Sequence, residues 1–235
     1  MSDSIKHECG VAMLRLLKPL EHYHQKYGTS LYGLNKMYLL MEKQHNRGQD
    51  GVGIANVKLD VEAGKRYISR KRSISTNPIQ DVFKQVNRRF VELEENDPEK
   101  LKDPQWMKEN LPFTGELFLG HLRYGTFGGN TIEQCHPFLR QNNWKTRNLV
   151  LAGNFNMTNV DELFQQLVDI GQHPKQMADT VTILEKIGHF LDEANDEIYY
   201  KHKDEFSKKE ITKVIEEELD LQDILTQSAK YWDGG

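Results

Sequence analysis

Cysteine is nearly missing from this chain: its 235 residues include two, Cys9 and Cys135. Two thiols cannot frame a disulfide scaffold, so a reducing cytoplasm is the expected setting. A surplus of either charge is missing too. Lys and Arg total 31 against 35 Asp and Glu, a formal net charge of −4, which leaves no electrostatic case for a nucleic-acid or membrane-surface partner. No apolar run approaches the roughly 20 residues that a membrane helix needs, and residues 1–8 are not a signal peptide. No internal repeat or low-complexity tract is apparent. What is there is 37% hydrophobic and 28% charged, with a mean hydropathy of −0.70. That composition describes a folded domain with a sizeable core and a generous polar surface.

Strand-like and helix-like pieces alternate. Apolar-rich runs of strand length fall at 10–17, 52–57, 66–69, 117–122 and 148–152. Residues 31–43 carry apolar side chains at helical spacing. Asn159-Val-Asp-Glu162 and Ser207-Lys-Lys-Glu210 have the form of capping boxes, and the helix after Asn159 should stop at Gly171. Residues 179–227 read as two charged helices with a break near 203–207. Residues 58–116 read as a solvated, partly helical insertion. The chain is mixed α/β.

Several residues have the chemistry of a site. Cys9 sits beside Gly10 at the mouth of a strand; it is either buried filler or a nucleophile. If residues 1–8 were removed, Cys9 would carry a free α-amine with an ordinary pKa of ~7.7–8.0, able to act as base toward its own thiol. In Gly120-His-Leu-Arg-Tyr-Gly-Thr126 a strand runs into glycine, placing Arg123 where a loop can meet a carboxylate; the plain alternative is a surface salt bridge. In Gly153-Asn-Phe-Asn-Met-Thr-Asn159, the Asn154 amide and the next backbone N–H could form a two-donor oxyanion hole, or Asn154 is a turn residue. Arg47-Gly-Gln-Asp-Gly51 is a tight turn between helix and strand. Asp179 is a helix N-cap or a partner for an ammonium group.

Taken in order, Glu8-Cys9-Gly10-Val11, Gln44-His-Asn-Arg-Gly-Gln-Asp-Gly51, Gly120-His-Leu-Arg-Tyr-Gly-Thr126, Gly153-Asn-Phe-Asn-Met-Thr-Asn159 and Ala178-Asp-Thr180 resemble the glutaminase domain of the amidophosphoribosyltransferases, which are N-terminal-nucleophile glutamine amidotransferases of purine synthesis. The resemblance implies an α+β fold, a four-layer αββα sandwich of the N-terminal-nucleophile hydrolase type. It makes Cys9 the nucleophile, with its freed α-amine as proton shuttle. It places Asn154 and the backbone N–H of Phe155 at the oxyanion, Arg123 with Thr126 nearby on the α-carboxylate of L-glutamine, and Asp179 on the α-ammonium. Residues 1–8 become a candidate propeptide, 9–230 the glutaminase domain, and 231–235 the start of a linker into a phosphoribosyltransferase domain beyond the chain. No metal or cofactor is implied, any iron–sulfur cysteines would lie outside this chain, and a cytoplasmic homo-oligomer is expected.

Four positions depart from the family pattern. Gly153 stands where the family has His, Phe155 where it has Gly and Val181 where it has Glu, and Asn46 lengthens the Arg-Gly turn. Phe155 suffices if its backbone N–H alone is used, whereas a positive φ there would oppose it. Two alternatives stay open: the glutaminase half of another amidotransferase of this class, and a catalytically silent module that binds glutamine or a partner. A metal-dependent hydrolase using His7, His22, His24, His45, His121 or His136 is disfavoured, because their spacing fits no ligand motif.

Overall fold

The computed structural model describes residues 8–125, 131–207 and 209–234. These fall into two compact units. One holds the described residues up to Pro137 with Ala152–Asn154; the other holds Phe138–Leu151 and the described residues from Phe155 onward. The mixed α/β character read from the sequence holds in both, and the strands pair antiparallel.

The first unit is built on a four-stranded antiparallel sheet of β1 (Gly10–Arg15), β2 (Gly51–Val57), β3 (Ile68–Ser73) and β4 (Leu117–Arg123), in the order β1-β4-β2-β3. The most apolar runs, β2 and β4, are adjacent in the middle. Successive side chains alternate faces. Phe118, Gly120 and Leu122 of β4 therefore point one way, toward α2 (Tyr32–Lys43), whose Leu34, Met37 and Met41 are fully buried with Phe118 and Leu122. Leu119, His121 and Arg123 point the other way. The preceding helix, α1 (Leu20–Tyr27), buries Leu20 alone. It has no sequence signal because the rest of it is polar.

The 58–116 segment corrects the expectation of a solvated insertion. It contains β3, the 19-residue α3 (Pro78–Asn96) and α4 (Pro104–Asn110). Ile79, Val82, Phe83, Val86 and Phe90 of α3 lie at helical spacing and are buried in the main core with Met107, Leu111 and Phe113. The charged residues that suggested a solvated segment form the other face of α3.

The second unit centres on α6 (Asp179–His202), with α5 (Val160–Asp169), α7 (Ile211–Glu218), α8 (Leu221–Ala229) and a short antiparallel pair, β5 (Phe138–Arg140) and β6 (Leu149–Leu151). Its core is Ile183, Ile187, Leu191 and Ile224, packed with Leu149, Leu151, Phe155, Met157 and Trp232. Arg140 of β5 reaches α6 through Glu185 at 3.1 Å and Asp192 at 2.5 Å. Residues 179–227 form three helices rather than two, because Asp220 caps a new one by accepting from the Asp223 N–H at 3.0 Å. The capping box at Ser207 forms, Ser207 exchanging hydrogen bonds with Glu210. The one at Asn159 does not: its side chain instead donates to the Tyr231 carbonyl and accepts from the Asp233 N–H. With Thr158 bonded to Asp233 at 2.6 Å, residues 231–234 are held against 157–159.

Candidate active site

The register of the sheet brings three of the five motifs to one end of its strands. β4 lies between β1 and β2, with Leu122 opposite Gly10 and Arg123 opposite Gly51. Cys9, one residue before β1, thus comes beside the end of β4. Its half-buried sulfur accepts from the Tyr124 N–H at 3.5 Å and lies 4.0 Å from the Tyr124 carbonyl oxygen. Glu8 immediately before it is exposed and ion-paired to Arg47 at 3.0 Å.

The Arg47–Gly51 segment fixes the end of β4. The Asp50 N–H donates to the Arg123 carbonyl at 3.1 Å, and the Asp50 carboxylate accepts from the Gly125 N–H at 2.7 Å. Gly48 is needed there, since a Cβ would come within 2.6 Å of the Arg123 carbonyl carbon and the Leu122 oxygen. Arg123 itself is 8% exposed, and its guanidinium donates to Gln134 at 2.9 Å. Gln134 carried no signal in the sequence. Thr126 lies outside the described residues.

The segment Cys135–Pro137 crosses the sheet on the face that carries His121 and Arg123. Arg72 and Arg70 of β3 donate to the Cys135 and Pro137 carbonyls at 2.9 and 3.2 Å. Gly53 makes room for it: a Cβ there would sit 1.9 Å from the His136 oxygen. The Cys135 thiol is fully buried, and burial pushes its pKa up, so it is no competing nucleophile. The His136 ring stacks on His121 with centroids 4.2 Å apart. His121 meets the Gly153 carbonyl at 3.1 Å, and His136 accepts from the Gly153 N–H at 3.3 Å. Gly153, the first residue of the fourth motif, is therefore fastened to β4. Asn154, the next residue, is exposed, and among the described residues its amide has no hydrogen-bond partner.

Burial takes His121 down to about 4, opposed by the Gly153 bond and reinforced by Arg123. It takes His136 down to about 3, with His121, Arg123 and Arg72 adding to the effect.

Phe155 and Asp179 belong to the second unit. The Phe155 ring packs on that unit's core. Among the described residues the non-glycine positions of positive φ are Asp60 and Phe113, so Phe155 has none of the strain that a glycine-requiring position would impose. Asp179 is the first residue of α6 rather than its N-cap, which is Ala178. Its half-buried carboxylate accepts from the Met157 N–H at 2.9 Å. Among the described residues no group of three or more His, Cys, Asp or Glu could hold a metal ion, and no helix is long and apolar enough to cross a membrane.

Comparison with known proteins gives low-identity relatives of one kind. No family model matches the chain. It is similar to the amidophosphoribosyltransferase of Lacticaseibacillus casei, 25% identical over 150 residues that cover 64% of this chain and 61% of that protein. It is similar also to the amidophosphoribosyltransferase of Methanocaldococcus jannaschii, 29% identical over 161 residues, 68% of this chain and 27% of that protein. Among solved structures, the glutamine phosphoribosylpyrophosphate amidotransferase of Bacillus subtilis, complexed with ADP and GMP, covers 86% of this chain and 31% of its own, at 22% identity and a TM-score of 0.48. That likeness is too distant for a fold to be carried over. The chain resembles amidophosphoribosyltransferases at low identity over most of its length, and spans less than two thirds of each relative named.

Proposed function

We propose that this chain is the glutaminase part of an amidophosphoribosyltransferase-like enzyme, hydrolysing L-glutamine to glutamate and ammonia for phosphoribosylamine formation in purine synthesis. The observation that carries the reading is the meeting of Cys9, Arg123 and the Arg47–Gly51 segment at one end of the strands, with Gly153, the residue before Asn154, fastened to the neighbouring His121. The four-layer αββα arrangement that the resemblance implies belongs to the same proposal, as do a phosphoribosyltransferase domain as partner, a homo-oligomeric state and a cytoplasmic location.

In this reading the chain is cleaved after Glu8, and the exposed Glu8 suits access by the cleaving group. The Cys9 thiol passes its proton to the new α-amine and the sulfur attacks the side-chain amide carbon of glutamine. Asn154 and the Phe155 N–H donate to the oxyanion that forms, a role that is worth roughly 2.7–4 kcal/mol for one donor. As the tetrahedral adduct collapses, the α-ammonium returns its proton to the departing ammonia. Water then cleaves the γ-glutamyl thioester to release glutamate. A zwitterionic substrate needs one fixed cation and one fixed anion, the parts given to Arg123 with Thr126 and to Asp179.

The test is glutamate and ammonia release from glutamine by the full chain and by its Cys9→Ala variant. Turnover in the first and none in the second is expected. Equal rates would remove Cys9 from the mechanism, and a silent wild-type chain that still binds glutamine would make this a binding module.

A further inference from the structure

His121 and His136 both bond one residue, Gly153. The two backbone groups of Gly153 are its carbonyl, which can only accept, and its N–H, which can only donate. The first lies 3.1 Å from His121 Nε2 and the second 3.3 Å from His136 Nδ1. His121 must therefore carry its proton on Nε2, and His136 must leave Nδ1 bare. His121 is 1% exposed, and among the described residues its Nδ1 has no partner. The bonds fix the peptide on each side of Gly153, and His121 does this at the cost of leaving a buried polar atom unpaired, which is itself unfavourable. The residue so gripped directly precedes Asn154.

We propose that His121 and His136 are positioning residues for the oxyanion site: a stacked pair that clamps both backbone groups of Gly153 and so sets the direction in which Asn154 presents its amide. The inference rests on the glutaminase reading above. Arg70 and Arg72 complete the device by tying the His136 segment to β3 on both sides of the histidine. Gly53 completes it by admitting the His136 backbone onto the sheet.

The two hydrogen bonds use different ring nitrogens, and this yields a test that general disruption cannot imitate. An Asn side chain places its oxygen near Nδ1 of the histidine it replaces, whereas a Gln side chain places its NH2 near Nε2. At position 136, Asn should therefore preserve the clamp and Gln should break it. At position 121 the order should reverse. The four variants His136→Asn, His136→Gln, His121→Gln and His121→Asn are made in the full chain. Their kcat and KM for glutamine are measured, together with their affinity for glutamate γ-semialdehyde, whose thiol adduct carries the oxyanion.

His136→Asn and His121→Gln should keep kcat within about threefold of wild type. The other two should lose about 10- to 100-fold in kcat and in aldehyde affinity, with KM little changed, as a displaced catalytic group costs. The same order of preference at both positions, or equal kcat within either pair, overturns the clamp. A wild-type chain that neither turns over glutamine nor binds the aldehyde overturns the glutaminase reading and the clamp with it; that result is read from the wild type alone.

Discussion

At the scale of single residues, the proposed roles separate by what each substitution should change. Asn154→Ala should lower kcat by about 10²–10³-fold with KM nearly unchanged, because its amide acts only on the oxyanion. A steady-state comparison that finds KM raised and kcat intact would return Asn154 to a turn residue. Asp179 has two possible tasks, and the structure shows one of them, the bond from the Met157 N–H. Asp179→Asn keeps an acceptor for that N–H but has no charge for an ammonium. It should raise KM for glutamine by at least tenfold while leaving the melting temperature within a few degrees. A lowered melting temperature with unchanged KM would make the residue purely structural.

Elements explain why the sequence was readable in some places and closed in others. The strands β1, β2 and β4 were legible because buried strands are written as apolar runs with little interruption. The motifs were legible as strand ends because glycine punctuates them, but Arg47–Gly51 is not one tight turn: Arg47 ends a short 3-10 helix and Gly48 is extended on the way into β2. β3 was placed two residues early, since Arg70 and Arg72 look polar until their carbonyl partners at 135 and 137 are known. α3 had a signal that its charges hid: Ile79, Val82, Phe83, Val86 and Phe90 repeat at helical spacing. The His136–Gly153 pairing had none, because no local pattern links residues 17 apart. Two predictions belong here. Phe83→Ala should cost about 3–5 kcal/mol in denaturant unfolding, as for a core aromatic; a cost near zero would restore residues 58–116 to a solvated insertion. Gly48→Ala should destabilise by about 1–3 kcal/mol, because its methyl would meet backbone rather than a yielding side chain. A neutral result in the same melt would mean that the segment does not hold β4.

For the whole molecule, the buried histidines tie stability to pH. Both pKa values lie below the unfolded 6.5, at about 4 for His121 and about 3 for His136. Below pH 6.5 the unfolded chain therefore takes up protons that the folded chain refuses. Stability is fully present above that pH and falls as pH drops toward 4 and 3, by up to about 1.4 kcal/mol per pH unit for each histidine. Denaturant melts at pH 7 and pH 5 should show this loss in wild type and much less of it in the His121→Gln/His136→Asn double variant. Parallel losses in the two would mean that other groups set the acid limit. The central claim, that Cys9 is an N-terminal nucleophile in a glutamine pocket, is tested most directly by intact mass before and after a glutamine-mimicking thiol alkylator. The account predicts a chain beginning at Cys9 that gains one adduct, mapping to Cys9. A chain that retains residues 1–8 and gains no adduct would contradict it.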